Sequence, residues 1–178
     1  MLNCIEVREY IFDPKDLCKL SQVGVDLTID SIKQVLDLTE SGIVYWNPVN
    51  GIYTDKTEII SDSYVPLTFR NNQQGRSVIQ LSPGVYSVTF DQGLLKLPNN
   101  ITALLRHRSS LLRIGGCIPG GIYDPGFEVE QIGAMMFLNL PIIIERHARI
   151  AQMTMNYNTK VPEEFMYNGQ FQGEKDVK

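Results

Sequence analysis

Residues 106–113 of this chain, Arg-His-Arg-Ser-Ser-Leu-Leu-Arg, bring three arginines, two serines and a histidine together. A guanidinium offers a planar fork of donors that matches two phosphate oxygens, and a serine hydroxyl adds a neutral donor. With backbone N–H groups at a helix start, the run reads as a cradle for a polyphosphate. A solvated basic turn fits the same composition equally well. A second concentration is residues 119–130, Pro-Gly-Gly-Ile-Tyr-Asp-Pro-Gly-Phe-Glu-Val-Glu. Glycines and prolines bracket Asp124 there, and the segment reads as a tight β-hairpin whose backbone can approach a flat ligand. Its N–H and C=O groups could read the edge of a base, and Asp124 could hold a water as general base. An ordinary Asp-Pro-Gly turn is the plainer reading. A third run, Arg149-Ile150-Ala151-Gln152-Met153, is by itself a strand with a polar flank.

Several other chemistries are excluded by inventory. No GxxxxGK[ST] loop occurs, so a P-loop is not the source of phosphate binding. The histidines are His107 and His147 alone, which removes a histidine-rich metal site. Neither a GxSxG elbow nor the HxE…PCxxC signature of zinc nucleobase deaminases is present. A net charge of −4 gives no reason to expect a nucleic-acid surface, so positive charge for a polyanion must be concentrated locally. Cys4, Cys18 and Cys117 are far apart and form no CxxC pair; they read as reduced cytosolic thiols. The N-terminus carries charges where a signal peptide would be apolar. The longest apolar run, residues 134–144, contains Asn139 and Pro141 and falls short of the ~18–20 residues of a membrane span. A cytoplasmic protein without a membrane anchor is the expectation.

The elements that must position these residues are mostly strands. At 178 residues, 43% hydrophobic and 20% charged, the chain fits one globular domain with a real core. Short runs rich in Val, Ile, Tyr, Phe and Thr, separated by Gly, Pro, Asn and Asp, cover residues 65–69, 77–81, 84–90, 101–106, 135–140 and 150–157. Residues 23–29 alternate as a strand does. Such spacing predicts a mainly β fold: a sandwich, barrel or jelly roll with one or two short helices. Short helices are expected at residues 14–22 and 106–112, and residues 30–39 read as a further short helix or an irregular segment. The polar tail from Val161, ending Glu-Lys-Asp-Val-Lys, is expected to be mobile. The division is therefore a β domain over residues 1–160 and a flexible tail over 161–178.

Taken in chain order, these pieces resemble the dUTPase/dCTP deaminase superfamily. Gly24-Val25-Asp26-Leu27 is similar to its first motif, and Leu81-Ser82-Pro83-Gly84 with Leu97-Pro98 to the LxPG…LP frame. Arg108-Ser109-Ser110-Leu111-Leu112-Arg113 resembles the RSSLxR of dCTP deaminases. Residues 121–127 look like the third motif, GxID in dUTPases and IDPGW in deaminases. Arg149-Ile150-Ala151-Gln152 resembles the fourth motif, GxRIAQL, and Gly169-Gln170-Phe171-Gln172-Gly173 a deaminase-type tail. His107 stands where a glycine is usual, and Tyr123 where an isoleucine is usual.

The resemblance implies a distorted β-barrel or jelly-roll subunit, a homotrimer with active sites between subunits, and Mg²⁺ carried mainly by the substrate triphosphate. It turns the tail into a lid that orders over nucleotide. A dUTP diphosphatase attacks the α-phosphorus with water and releases pyrophosphate, and Asp124 occupies the position that orients that water. A zinc-independent dCTP deaminase needs a further Glu ten residues after Asp124. The count reaches Ala134, or Met136 if two residues are inserted, and neither can shuttle a proton. dUTP hydrolysis to dUMP is therefore the expected activity; deamination of dCTP and a non-catalytic nucleotide-binding relative are the alternatives. The implied substrate contacts are Arg108, Ser109, Ser110, Arg113 and Gln152; the backbone of Gly120, Gly121 and Ile122; Phe127 on the sugar; and Phe171, Gln172 and Gly173 from the tail. Asp26 is expected to help place the hydrated Mg²⁺.

Overall fold

The longest strand, β2 (Gly24–Val35), belongs to two surfaces at once. The computed structural model describes residues 1–13, 15, 19–21, 23–35, 44–47, 51–54, 64–169 and 172–173. The first half of β2 pairs with β1 (Lys19–Ser21) on one side and β16 (Arg149–Tyr157) on the other. Its second half pairs with β5 (Tyr64–Leu67) and β8 (Gly84–Phe90). Register shifts between Ile29 and Ser31, and such a bulge bends and twists a strand. The result is a curled sheet in the order β11 (Gly116–Cys117), β14 (Gly133–Leu138), β8, β2, β16, β10 (Ile101–His107), β12 (Gly121–Tyr123). Beside it lie β15 (Ile142–Glu145) with β7 (Ser77–Leu81) and β6 (Arg70–Asn71), and the pair β13 (Glu128–Val129) and β9 (Leu95–Lys96). A further ladder joins β3 (Val44–Asn47) to β4 (Gly51–Thr54).

The mainly β expectation holds, and period-2 alternation explains it. Ile101, Ala103 and Leu105 of β10 face the core, as do Met153 and Met155 of β16 and Tyr86, Val88 and Phe90 of β8. The intervening Thr102, Leu104 and Arg106 are partly or fully exposed.

Three local expectations change. Within residues 14–22, Lys19–Ser21 is a strand: Val25 and Asp26 offer it an open ladder edge, and tertiary pairing overrides helix propensity. Residues 30–35 continue β2, because Ile32 (1% exposed) enters the core and β8 supplies backbone partners. The helix near residue 106 begins later, as α2 (Ser109–Arg113), since Arg106 and His107 are still paired with Gln152 and Ala151. A helix not anticipated is α1 (Cys4–Arg8), started by a capping box in which the Asn3 side chain accepts from Glu6 N–H and Glu6 answers the Asn3 N–H. Leu2 and Val7 tie it to the core, and Leu2 N–H donates to Met155 O at 2.8 Å. Cys4 and Cys117 are free thiols; Cys18 lies outside the described residues.

The bend in β2 is fastened by a buried polar cluster. Thr28 Oγ1 donates to Asp91 Oδ2 (2.8 Å), His147 Nδ1 donates to the same oxygen (2.7 Å), and Lys15 Nζ reaches Oδ1 (2.7 Å). Gln92 Oε1 accepts the Thr28 N–H at 2.9 Å. Asp30 faces the cluster from β2 and pairs with Lys15 and Arg146. Burial pushes the Asp91 carboxyl up, but the bonds from Lys15, His147 and Thr28 outweigh it and hold the group below its ordinary 3.8. A carboxyl with a lowered folded pKa contributes stability above its unfolded value and loses it as pH falls through the folded one. Stability should therefore be steady at neutral pH and decline below 3.8. Asp91→Asn should be less stable at neutral pH and show a shallower acid decline in thermal melts. Equal acid slopes for the two proteins would remove Asp91 from this account.

Candidate active site

Asp26, 2% exposed, is the centre of a polar group on the outer face of β2. Cross-strand register aligns it with Gln152 of β16, and Gln152 with Arg106 of β10. Arg108 Nε lies 3.3 Å from Asp26 Oδ2, and Arg149 Nη1 3.1 Å from the same oxygen. Gln152 Nε2 donates to Asp26 Oδ1 (3.3 Å) and to Ser21 Oγ (2.7 Å). One carboxylate thus draws together two guanidiniums that would otherwise repel. Because Arg108 is held through Nε, its two terminal nitrogens stay available for an oxyanion. The Arg108 N–H donates to Ile150 O (2.9 Å), fixing the backbone as it leaves β10 for α2.

No side chain caps the start of α2, and Ser109 and Ser110 are exposed there. Leu111 (4% exposed) anchors the turn in the core, and Gly115 at φ +83° ends it. Arg113 is exposed at its C-terminus. The group of Arg108, Ser109, Ser110 and Arg149, with Arg106 and Arg113 beside it, carries excess positive charge on an acidic chain. His107 has a structural bond, Nδ1 donating to Ile118 O at 3.0 Å.

The Asp124 segment is not a hairpin. β12 pairs with β10, and β13 pairs with β9. Between them Phe127 N–H donates to Asp124 O (3.0 Å), with Pro125 second and Gly126 third at φ +86°. Those are the marks of a type II turn, which splays the flanking strands. β12 ends the sheet order, so one side of the Gly121 and Ile122 backbone lacks a ladder partner among the described residues. That edge, with Gly120 before it, can pair with a flat polar ligand. The Asp124 carboxylate is exposed and has no hydrogen-bond or ion-pair partner among the described residues.

Phe127 is 8% exposed, with ring centroids of Tyr123 and Tyr167 each 5.1 Å away. Burial pushes the Tyr123 phenol up to about 12. The tail lies across this turn: Tyr167 N–H donates to Pro125 O (2.9 Å), and Gly173 N–H to Glu128 O (2.8 Å). Gln172 accepts the Glu128 N–H through Oε1 (3.2 Å) and donates from Nε2 to Gly126 O (3.0 Å). Phe127, expected against a sugar, is thus packed on aromatic side chains of its own chain, and Gln172 on backbone. Phe171 lies outside the described residues.

The two halves of the candidate site are separated. Ala103 pairs with Tyr123 and Leu105 with Gly121, so Asp124 follows on at the level of Thr102, near the start of β10, while Arg108 follows its end. Six strand residues at ~3.3 Å each put them about 20 Å apart, too far to share one phosphate.

A family model described as dCTP deaminase-like matches residues 2–157. The chain belongs to the dCTP deaminase-like family. Named relatives in the family divide between two activities. A dCTP deaminase of Acidianus ambivalens is 30% identical over 120 residues, 67% of this chain and 68% of that protein. A deoxyuridine 5'-triphosphate nucleotidohydrolase of Methanocaldococcus jannaschii is 28% identical over 142 residues, 80% of this chain and 81% of that one. The fold matches the 2'-deoxycytidine 5'-triphosphate deaminase of Agrobacterium tumefaciens with TM-score 0.60 at 16% identity, over 85% of this chain and 44% of that one.

Within this family, two features of the chain bear on its chemistry. β14, the strand that would carry the deaminase glutamate, reads Gly-Ala-Met-Met-Phe-Leu and has no ionisable side chain. Ala134 packs against the core, and Met136 is 0% exposed within it. Glu128 is paired with Lys96 at 2.7 Å. The other feature concerns metal. Asp26 directs both oxygens at cationic or amide donors, which does not suit a Mg²⁺ ligand, and among the described residues no group of three or more His, Cys, Asp or Glu could hold a metal ion.

Arg149 was visible in the third run, yet sequence alone gave it no role. The signal was Asp26 itself, a carboxylate inside the apolar stretch Val25-Asp26-Leu27 that demanded cationic partners. Asp26→Asn should leave two guanidiniums against a neutral amide, lower stability by about 1–3 kcal/mol, and weaken pyrophosphate binding with or without Mg²⁺. Calorimetric titration in both conditions checks this; a defect seen only as a raised Mg²⁺ requirement would assign Asp26 to the metal instead.

Proposed function

We propose that this chain is a dUTP diphosphatase. The observation that carries the reading is β14: no side chain on it can move a proton to or from a cytosine, while Asp124 presents an exposed carboxylate. Relatives of both names match at similar identity, so the choice rests on the residues. In the proposed reaction Asp124 orients a water and takes its proton as the oxygen attacks the α-phosphorus. The bond to the bridging oxygen breaks, and pyrophosphate leaves with dUMP as the other product. Arg108, Arg149, Arg113, Ser109 and Ser110 hold the leaving phosphates and balance the charge that develops on them. The free edge of Gly120, Gly121 and Ile122 reads the base. Mg²⁺, which the family resemblance implies, is assigned to the triphosphate's own oxygens and to no side chain here.

The separation of Asp124 from Arg108 supports a site made by two copies, one giving the Asp124 turn and the other the Arg108 cluster. A homotrimer with three shared sites is the assembly we infer, in the cytoplasm, without nucleic acid or membrane as partner. The segment 161–178 is proposed to act as a lid on the 1–160 domain, Gln172 and Gly173 exchanging contacts on the turn for contacts on nucleotide, Phe171 stacking on the base, and Phe127 being freed for the sugar.

Incubation with Mg²⁺ and either dUTP or dCTP, with product analysis, tests the activity. dUMP and pyrophosphate from dUTP, with dCTP left unaltered, are expected; ammonia released from dCTP would establish a deaminase in its place. Asp124→Asn should bind nucleotide but lose about 10²–10⁴-fold in turnover. Neither Asp124→Asn nor Arg108→Gln should work alone, but co-assembled chains of the two should recover activity. No recovery in verified mixed oligomers would sink the shared site.

A further inference from the structure

The turn between β15 and β16 contains the only non-glycine residue at positive φ among the described residues, His147 at +62°. Glycine adopts this conformation freely, whereas any side chain, histidine included, adopts it only at some cost. The fourth motif, GxRIAQL, has its glycine at this spacing before Arg149. What holds a histidine here is visible. Its Nδ1 donates to the buried Asp91 at 2.7 Å, its N–H donates to Ile29 O at 3.1 Å, and Ala148 N–H closes the turn on Glu145 O at 3.0 Å.

Two residues further on, Arg149 pairs with Thr28, and the ladder then shifts register before Ala151. A pair beside a bulge is poorly fixed by the ladder alone. Asp91 grips both of its members: Thr28 directly, through Oγ1 at 2.8 Å, and Arg149 through the His147 turn. The Asp91 N–H also donates to Thr28 O at 2.8 Å.

We propose that His147 is a positioning residue for Arg149, transmitting the fixed location of Asp91 to the guanidinium that faces the phosphates. This rests on the reading of Arg149 as a phosphate ligand. His147 touches no substrate; it sets where β16 begins. Lys15, Asp30 and Arg146, the other charged groups at this corner, hold Asp91 and the turn from outside.

The test uses the chain, His147→Gly and His147→Asn, each titrated with inorganic tripolyphosphate by calorimetry, with dUTP turnover measured alongside. Glycine relieves the backbone and removes the bond to Asp91. Relieved strain and the lost bond oppose one another, so that variant should melt near the parent temperature, bind tripolyphosphate roughly tenfold more weakly, and raise KM for dUTP more than it lowers kcat. Asparagine accepts the same backbone and keeps a donor, so it should recover most of the affinity. Unchanged affinity in His147→Gly, a loss that asparagine does not repair, or a parent chain that fails to bind tripolyphosphate would each overturn the inference. The expected affinity pattern in a protein that leaves dUTP intact would refute the diphosphatase reading and leave the positioning role standing.

Discussion

A buried carboxylate between two arginines governs the site. Asp26 is 2% exposed, and a lone charge at that depth would be strongly disfavoured. Arg108 and Arg149 make it tolerable, and Asp26 in turn lets two cations sit side by side at the ends of different strands. The geometry follows from this reciprocity. Arg108 must leave β10 beside β16, which fixes the start of α2, and Arg149 must enter β16 at a bulge. Strand order and the first, second and fourth motifs are thereby one physical arrangement, although Asp26 and Arg149 lie 123 positions apart in the chain.

The mainly β architecture was legible because alternation and turn residues are local signals. Ser77–Leu81 and Gly84–Phe90 appear with the expected limits. The structure departs from expectation where strand pairing decided the outcome. Lys19–Ser21 and residues 30–35 are extended because β2 and β8 offer ladder partners, which local propensity cannot report. The hairpin expectation at Asp124 failed differently. Its Asp-Pro-Gly sequence does specify a turn, but the type II geometry sends β13 to β9. The capping box at Asn3 and Glu6 is a local signal, but the helix it starts, α1, is only five residues long and carries no apolar period to mark it.

The candidate site was legible as chemistry and much less as geometry. The arginines, serines and Asp124 stand out by type. That Asp26 serves the arginines, that Gln152 turns to Ser21, and that Phe127 sits under Tyr167 depend on register and on the course of the tail. Three interactions at the corner, from Lys15, Thr28 and His147 to Asp91, join parts of the chain that share no motif.

The distinction between hydrolysis and deamination reduces to a question of parity on β14. The sequence left the alignment uncertain by two residues, between Ala134 and Met136. In a strand, residues two apart share a face, so an insertion of two cannot change which side either occupies. Met136 is sealed in the core opposite Tyr86, and Ala134 packs on the same side. A one-residue slip would substitute Met135 or Phe137, which are equally unable to transfer a proton. Every register of β14 therefore lacks a base for C4 of cytosine.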